Sequence, residues 1–498
     1  MIFCLFAEPV RTDPYAAYVL RPLLCLAAAA RAGRVWPARV ALAAEARGRA
    51  GAGAALRRAL TAARCGDDPC AWDVGLPEPL DPWRTPLVRT RQLLQQAWER
   101  REWAVLAARR PAYQGAAAGV DKFATLSLLN GKSLSECQAA ALRCVLAGEV
   151  VTERRASHWN PIPAVCKLCG EEDTGAEHRF WHCPALSSCR IAAAATVGWS
   201  ADALRRNLPD LTRLTGIAAL DPAVEASRLE AESHPGPLAA EEPNGVVNAG
   251  GAAQGVEVWT DGSAIFAEDP RLRRAAAAVF FGVGDPRNDA QPIGGKQTAF
   301  RAEVAAAVLA AETERSPLCV VADCQGVCDG IEKLRAGECL DDVEHGDLWR
   351  RLRLAGGQPS RISTRKVPAH LTYQEARAEG VLPRDWAGNK AADTLALAAA
   401  RARAPPDVLV RRAQGILADT RSAQFVMLTV QAEALRRSGR LRGRQRPRRR
   451  VVSSAAPQPS PRCLEELGTI RGGAQLPHAP PGCHQLEWRE HAGLRCSR

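Results

Sequence analysis

Apolar and polar positions between residues 255 and 404 follow the periods of strands and helices. The stretch opens with an alternating apolar and polar run at 256–260, which is typical of a strand. Further runs predict strands at 276–282, 296–300, 318–323 and 361–367, and helical spacing predicts helices at 301–312, 325–336 and 386–402. The early strands are adjacent and the later ones alternate with helices. We therefore expect an α/β fold with a mixed five-stranded sheet flanked by helices.

Helical spacing also dominates residues 87–155, upstream of this domain. Leu94 and Trp98 lie four positions apart and therefore share one helix face. Ser133 and Glu136 have the spacing of a capping box, and Gly148 ends the helix that this box predicts. By periodicity the region is a small helical bundle that contains no catalytic motif. One more amphipathic helix is predicted after the domain, at 413–435.

Changes of pattern divide the chain into segments. Stretches rich in Gly, Pro and Ala at 234–237 and 245–255 predict a flexible linker, with independent domains on each side. The predicted segments are an irregular or helical region at 1–87, a helical connector at 88–155, a metal-binding segment at 156–190, a helix and linker at 191–254, the catalytic domain at 255–404, a helix at 405–435 and a basic tail at 436–498.

The charge balance favours a polyanionic partner. The 498 residues carry a formal net charge of +12, and nucleic acid is the commonest partner of such a basic chain. Residues 436–450 contain arginines and no acid, which predicts a disordered, phosphate-binding segment that could also direct nuclear import. A merely solvated tail is the alternative. The stretch that follows is rich in Ser, Pro and Gly, and we expect it to be unstructured.

Cysteine usage and the apolar N-terminal stretch bear on location. Seventeen cysteines in a chain of this length form no regular disulfide framework, so a reducing compartment fits them better. The apolar residues 16–30 are interrupted by Arg21 and are too few to span a bilayer. We expect an intracellular protein, nuclear or cytoplasmic, with no membrane partner. The sequence does not indicate an oligomeric state.

Cysteines and histidines between residues 166 and 183 have the spacing of a metal site. Cys166 and Cys169 form a Cys-x-x-Cys knuckle, in which both thiolates bind one ion. His178 and Cys183 complete the four ligands of a Zn²⁺ site, although His182 competes with His178 for the third position. Because protein side chains fill all four positions, we expect a structural site that supports nucleic-acid binding and does not catalyse.

Four acids lie at the edges of predicted elements and suggest a second kind of metal site. They are Asp261, Glu303, Asp323 and Asp393. Hydrolysis of a phosphodiester is served by two cations about 3.5–4 Å apart, which requires several carboxylates to hold them. Mg²⁺ prefers such oxygen ligands. We expect Asp261, at the end of the first strand, to bridge the two ions; a solvated or capping carboxylate is the alternative for any single acid.

Two further residues fit around these acids. Asn389 precedes Asp393 by four positions on a predicted helix, so its amide lies beside that carboxylate. His370 lies on the loop before this helix, where a histidine could transfer protons or help to release product.

Four motifs in residues 255–404 resemble those of the ribonuclease H family in order and spacing. They are Asp261-Gly262-Ser263, Thr298-x-x-Arg301-Ala302-Glu303, Ala322-Asp323-x-Gln325-Gly326 and His370…Gly388-Asn389-x-x-Ala392-Asp393. The resemblance implies that family's fold and two Mg²⁺ ions, with Mn²⁺ as a substitute. It implies that Asp261 bridges both ions, that Asp393 completes the nucleophile side, and that Glu303 with Asp323 holds the leaving-group side. The predicted substrate contacts are Gly262, Ser263, Gln325 and Asn389.

The upstream region resembles a different protein class. Helices at 89–155 followed by Cys166-x-x-Cys169…His178…Cys183 are similar to the thumb-like helices and zinc-binding segment of a non-LTR retrotransposon reverse transcriptase. The chain contains no polymerase palm with an aromatic-x-Asp-Asp motif, so DNA synthesis is not implied. Cys324 stands where the ribonuclease H motif usually has a serine.

Three functions compete on this evidence. The first is a Mg²⁺-dependent endonuclease that cleaves the RNA strand of RNA–DNA hybrids. The second is a non-catalytic nucleic-acid-binding protein, a decayed retrotransposon fragment with tight, salt-dependent binding. A third is a related nuclease or integrase that prefers DNA. Four converging acids favour the first, because a binding module does not need them.

Overall fold

The computed structural model describes most of residues 52–438 and a short C-terminal hairpin. It covers residues 19–20, 23–24, 52–236, 255–438, 485–489 and 493–497, with gaps at 69–70, 75–78, 83–84, 86, 132, 151, 160–161, 342, 357–360 and 370. The chain divides into two units, residues 1–438 and 439–498. Residues 237–254, which contain most of the predicted linker, and most of the basic tail lie outside the described residues.

Short helices build the region before the sheet. The described helices are α1 Ala52–Ala63, α2 Leu87–Arg109, α3 Lys122–Asn130, α4 Glu136–Leu146, α5 Glu153–Ala156, α6 Ser187–Thr196, α7 Ala201–Asn207, α8 Asp210–Thr215 and α9 Pro222–Ser233, with a π-helical turn at His178–His182. Much of this region shares one core, built around large buried side chains such as Trp103, Leu142 and Phe180.

The predicted capping box lies two positions further along the chain. Ser135, and not Ser133, precedes α4, and its side chain accepts the N–H of Gln138, whose own side chain accepts the N–H of Ser135. Glu136 is instead the first residue of the helix, where its negative charge interacts favourably with the positive end of the helix dipole. Both serines precede a residue that can close the box three positions later, so spacing alone could not distinguish them.

The predicted mixed five-stranded sheet is confirmed. The strands are β1 Val256–Ile265, β2 Arg274–Phe280, β3 Asp289–Pro292, β4 Leu318–Ala322 and β5 Ile362–Lys366, in the spatial order β3-β2-β1-β4-β5. β1 pairs antiparallel with β2 and parallel with β4, and β5 continues the parallel half. β1 is therefore the central strand, buried between two neighbours.

The prediction for the third strand was wrong. Residues 296–300 do not form a strand; β3 lies earlier, at Asp289–Pro292, antiparallel to β2. The side chain of Thr298 accepts the N–H of Arg301 and starts a helix at Ala299. Thr is a preferred N-cap residue, so the apolar residues after it belong to a helix face.

Helices cover both faces of the sheet. They are α10 Ala299–Thr313, α11 Gln325–Arg335, α12 Gly346–Gly356, α13 Tyr373–Ala378 and α14 Pro383–Ala402. Val258 and Val320 lie in the core that the sheet shares with α10, α11 and α12. Trp259 and Val321, one position on, pack with Ala392 of α14 on the opposite face. The period of two along each strand thus separates the two helical layers.

A long helix returns from the sheet to the upstream helices. α15, Asp407–Arg437, places Val426, Met427 and Val430 in the core of the helical region. Nε2 of Gln424 donates to the backbone oxygens of Thr125 and Gly216, each at 2.8 Å. The sequence favoured independent domains on each side of a linker, whereas this helix joins them within one compact unit.

A buried ion pair connects the same two regions. Arg271, just before β2, lies 2.7 Å from the carboxylate of Asp121, the N-cap residue of α3. Its guanidinium also donates to the backbone oxygen of Ala413 in α15 at 3.0 Å. Breaking one partner of such a pair leaves a buried charge, so this contact fixes the docking of the sheet on the helices.

The C-terminal unit contains a described hairpin. β6, Gln485–Arg489, pairs antiparallel with β7, Gly493–Ser497. The expectation that this stretch is unstructured was wrong for these residues, which alternate polar and apolar positions: Leu486 and Trp488 alternate with polar residues in β6, as do Leu494 and Cys496 in β7. None of the described helices is both long and apolar enough to cross a membrane.

Candidate active site and cysteine-histidine cluster

Asp261 lies in the middle of β1. The sequence placed it at the end of the strand, but β1 continues through Ile265 because residues 261–265 pair with β2. The parallel partner β4 ends opposite Thr260, so β1 extends past β4 from Asp261 onward. Asp261 is therefore held by a strand on one side and lies next to the carboxyl end of β4 on the other. Its side chain is buried.

Glu303 reaches the same point from α10. It lies in the second turn of this helix, and the helix contacts β1 closely at Gly262. A Cβ atom on Gly262 would lie 2.0 Å from the backbone nitrogen of Glu303, far inside van der Waals contact. The absence of a side chain at position 262 thus brings Glu303 next to Asp261.

Three carboxylates meet at this edge of the sheet. Asp323 follows β4 directly, and one oxygen from each of Asp261, Glu303 and Asp323 lies within 4.8 Å of the others. Three negative charges at this separation repel one another unless protons or a cation neutralise them.

The electrostatics of the acids reflect this crowding. Burial, then the neighbouring carboxylates of Asp323 and Asp393, raise the pKa of Asp261 to about 7. Burial, with the charges of Asp261 and Asp323, raises the pKa of Glu303 well above its usual range. The backbone N–H of Gly262 opposes both shifts. These carboxylates accordingly ionise fully only with a cation nearby.

A divalent cation fits the cluster. Oε2 of Glu303 is buried and has no hydrogen-bond partner within the described residues. A buried carboxylate oxygen without a donor is costly, and a metal ion would supply the missing partner. The donor set consists of carboxylate oxygens, which suit Mg²⁺ or Mn²⁺.

Asp393 lies beside the three-acid cluster and not within it. It is on α14, its carboxylate pairs with Lys390 at 2.7 Å, and its charge acts on Asp261. Nδ2 of Asn389 donates to Asp323 at 3.2 Å. The structure therefore places the predicted amide against the third acid, not the fourth. Sequence reasoning missed Lys390, although its spacing of three from Asp393 on a helix is a signal for an ion pair.

The other predicted residues are distributed around these acids. Ser263 follows Gly262 on β1, and Gln325 begins α11, where its amide donates to Asp329 at 2.7 Å. His370 lies outside the described residues. The next residue, Leu371, accepts a hydrogen bond at its backbone oxygen from Nε1 of Trp386 at 2.9 Å.

A cleft of about 340 Å³ opens beside the acids. Asp323, Asn389 and Asp393 form its polar wall, with Lys390 between them, and Val367, Leu371 and Trp386 contribute an apolar wall. The cleft gives a ligand access to the carboxylates from the side of α14.

The cysteine-histidine cluster lies in the upstream helical region. One donor atom from each of Cys166, Cys169, His178 and Cys183 lies within 4.8 Å of the others. Cys166 and Cys183 have their sulfur atoms 4.0 Å apart, and the sulfur of Cys169 is 3.4 Å from Nε2 of His178. Sulfur atoms bound to one tetrahedral Zn²⁺ at 2.3 Å are about 3.8 Å apart, so the spacing and the donor set both fit zinc.

His182, the competing ligand, is turned away from this cluster. Its imidazole lies 3.5 Å from the carboxylate of Glu177 and is half exposed. His178, by contrast, is buried. Burial raises the pKa of Cys183 to about 12 and also raises that of Cys169. A bound cation would favour the thiolate forms instead.

A family model matches the part of the chain that contains the sheet. Residues 253–401 match the family model for RNase H. The solution structure of the PFV RNase H domain is 21% identical, covers 29% of this chain and 94% of its own, and has a TM-score of 0.24. The crystal structure of the prototype foamy virus protease-reverse transcriptase is 21% identical over 29% of this chain and 20% of its own, with a TM-score of 0.23. No match is found among curated proteins.

Proposed function

We propose that this protein is a Mg²⁺-dependent endonuclease that cleaves the RNA strand of RNA–DNA hybrids, because residues 253–401 match the RNase H family model. The observation that carries the proposal is the close approach of Asp261, Glu303 and Asp323, the first two buried, with an oxygen of Glu303 that has no partner in the described part of the chain. A domain that only bound nucleic acid would gain nothing from three acids that repel one another.

The side chains at this site have different roles in the proposed reaction. Two bound cations would activate a water molecule and stabilise charge on the attacking and leaving oxygens. Asp261, Glu303 and Asp323 would hold them, and Asp393 would join after releasing Lys390. Asn389 orients the carboxylate of Asp323 through its hydrogen bond. The remaining predicted substrate contacts, Gly262, Ser263 and Gln325, and the proton-transfer role of His370 are part of the same proposal.

The upstream region serves binding in this proposal. Cys166, Cys169, His178 and Cys183 would hold a structural Zn²⁺ that stabilises the helical region. The resemblance of this region to a retrotransposon reverse transcriptase supports a retroelement origin. The net charge of +12 supports a nucleic-acid partner. We further propose an intracellular location, nuclear or cytoplasmic, because the thiols of the cluster need a reducing compartment.

A cleavage assay with matched substrates tests the proposal. The full-length protein is incubated with labelled RNA–DNA hybrid, duplex RNA or duplex DNA, each with Mg²⁺ and with chelator. We expect cleavage of the RNA in the hybrid only, and only with Mg²⁺. Asp261→Asn should lower the rate at least about hundredfold, as removal of one electrostatic group of a site commonly does, with hybrid binding retained.

Asp289→Asn is the matched control. Asp289 is an acid of the same sheet, on the edge strand β3. Its carboxylate accepts a hydrogen bond from the amide of Gln291 and is not part of the acid cluster. Its replacement should leave the rate unchanged. Binding of the hybrid without Mg²⁺-stimulated cleavage would favour a non-catalytic binding protein. Faster cleavage of duplex DNA would favour a related DNA nuclease, and either result would end the proposal.

A further inference from the structure

Arg190 lies against the segment that contains the cysteine-histidine cluster. It is in α6, and only 7% of its surface is exposed. Its guanidinium donates to the backbone oxygens of Phe180 and Cys183, at 3.3 and 3.4 Å. Both oxygens belong to the turn between His178 and Cys183, two of the four donors. Arg190 therefore contacts the backbone of the segment that carries the last two donors, His178 and Cys183.

A buried guanidinium normally has a carboxylate partner. Arg271, equally buried, pairs with Asp121 at 2.7 Å. Arg190 has neutral carbonyl oxygens as its hydrogen-bond acceptors, and no carboxylate of the described residues pairs with it. No acid in direct contact within the described part of the chain therefore supplies its counter-charge.

The occupied cluster would carry such a charge. Three thiolates and a neutral imidazole outweigh the two positive charges of Zn²⁺ and leave one net negative charge. This charge would lie next to Arg190, because Cys183 is both one of the metal ligands and a hydrogen-bond partner of Arg190. We propose that Arg190 is the counter-ion of the metal-bound cluster and positions the turn between His178 and Cys183, so that it raises the affinity for the metal. The inference rests on the zinc site proposed above.

Arg274 is a second buried arginine that donates to backbone oxygens, and it provides a control without a metal site nearby among the described residues. It is 6% exposed, its guanidinium donates to the backbone oxygens of Leu272, Arg273 and Ser227, and burial lowers its pKa. It lies on β2, in the sheet and not in the helical region that holds the cysteines. Its replacement should disturb packing to a similar degree without affecting a metal ion.

Metal affinity of the full-length variants tests the inference. Zn²⁺ binding is measured by competition with a chromogenic chelator for wild type, Arg190→Met, Arg190→Lys and Arg274→Met, with circular dichroism recorded in parallel. We expect Arg190→Met to weaken binding on the order of 10–100-fold, as loss of a group that supports the ligands does. Arg190→Lys keeps the charge and should recover most of the affinity, and Arg274→Met should bind as wild type.

Two further measurements separate the possible failures. The Co²⁺-loaded protein shows a thiolate-to-metal charge-transfer band, whose energy should shift in Arg190→Met and not in Arg274→Met. Cys183→Ser should abolish tight binding; if it binds as well as wild type, the zinc site itself is wrong and the inference falls with it. If wild type binds and Cys183→Ser does not, equal binding by Arg190→Met overturns only the role of Arg190. Equal losses in the Lys and Met variants would overturn the counter-ion role.

Discussion

At the scale of single residues, the acid cluster depends on a side chain that is absent. Gly262 lets α10 contact β1, and an added Cβ would overlap the backbone at Glu303, which cannot move without shifting the helix. We expect Gly262→Ala to lower the free energy of unfolding by about 1–3 kcal/mol, the usual range for overpacking, and to abolish cleavage. Denaturant unfolding and the hybrid cleavage assay measure the two effects.

Gly415 provides the control for this prediction. It lies within α15, and a Cβ there would meet no atom within 4 Å. Gly415→Ala should therefore raise the free energy of unfolding by roughly 0.5–1 kcal/mol, since alanine favours a helix. If both variants behave alike, the close contact at Gly262 does not constrain the site.

Removing a charge from the acid cluster should stabilise the protein when no metal is present. Asp261 is buried against Asp323, and their repulsion, added to burial, raises its pKa to about 7. At pH 8 in chelator, Asp261→Asn should raise the free energy of unfolding by roughly 1 kcal/mol or more, because one buried charge is removed. With Mg²⁺ the order should reverse, since only wild type gains the full binding energy of the metal. Thermal unfolding in both buffers measures this.

Asp393→Asn is the comparison within the same site. The carboxylate of Asp393 already pairs with Lys390 and is partly exposed, so its removal in chelator should change stability by less than about 1 kcal/mol. A destabilised Asp261→Asn protein in chelator would show that the three acids are not strained without metal.

Sequence reasoning worked best for residues that belong to a motif. The four acids were found because each belongs to a short motif of fixed spacing, although only Asp323 directly follows a strand. Partners that come from distant parts of the chain escaped it: Arg271 pairs with Asp121, 150 positions away. A contact between distant positions leaves no periodic signal, so only the fold could reveal it.

At the scale of elements, α12 is joined to α10 around a buried histidine. His345 immediately precedes α12, its ring lies 5.6 Å from that of Phe300, and Nδ1 is 3.5 Å from the guanidinium of Arg301. Arg301 also binds both carboxylate oxygens of Asp347, at 2.8 and 2.5 Å. No sequence motif marks this junction, because its contacts join residues about 45 positions apart.

Acid should weaken this junction. Burial, then Arg301, lowers the pKa of His345 to about 4; Lys296 adds to the shift, and Glu344 and Asp347 oppose it. The unfolded chain, with a histidine pKa near 6.5, takes up protons that the folded one does not. Stability is therefore complete above about pH 6.5 and is lost as the pH falls toward 4, by about 2 kcal/mol between pH 6.5 and 5.

Denaturant unfolding at pH 7 and pH 5 tests this for wild type and His345→Asn. Asn suits position 345 because its backbone φ is 62°, in the left-handed region that Asn tolerates. The variant should lose less stability between the two pH values than wild type. Equal losses would assign the acid sensitivity to other groups.

Strand and helix types were largely predictable, and their boundaries were not. The order of antiparallel and parallel pairs followed from which strands had a helix between them. The third strand was misplaced because Asp289–Pro292 has only four residues and no apolar alternation, whereas 296–300 resembles a strand until Thr298 is recognised as a cap. Short edge strands are defined by their neighbours more than by their own side chains.

For the whole molecule, the feature that sequence could not supply is where α15 packs. Its amphipathic pattern predicted a helix, but any apolar surface of the chain would have satisfied that pattern. In the fold it contacts α3, α4 and α6 and the π-helical turn of the cysteine-histidine cluster. α15 and the proposed zinc segment therefore share the core of the helical region, although more than 200 residues separate parts of it.

Loosening α15 should consequently loosen the cysteine-histidine region. Met427 is fully buried in the shared core, and Met427→Ala should lower the free energy of unfolding by about 2–5 kcal/mol. Hydrogen exchange should accelerate in α3 and α6 as well as in α15, and remain slow in β1, whose core lies with α10. Val408→Ala, on the same helix at a residue that is 60% exposed, should change stability by less than about 0.5 kcal/mol. Faster exchange confined to α15 would mean that the upstream helices hold their core without it.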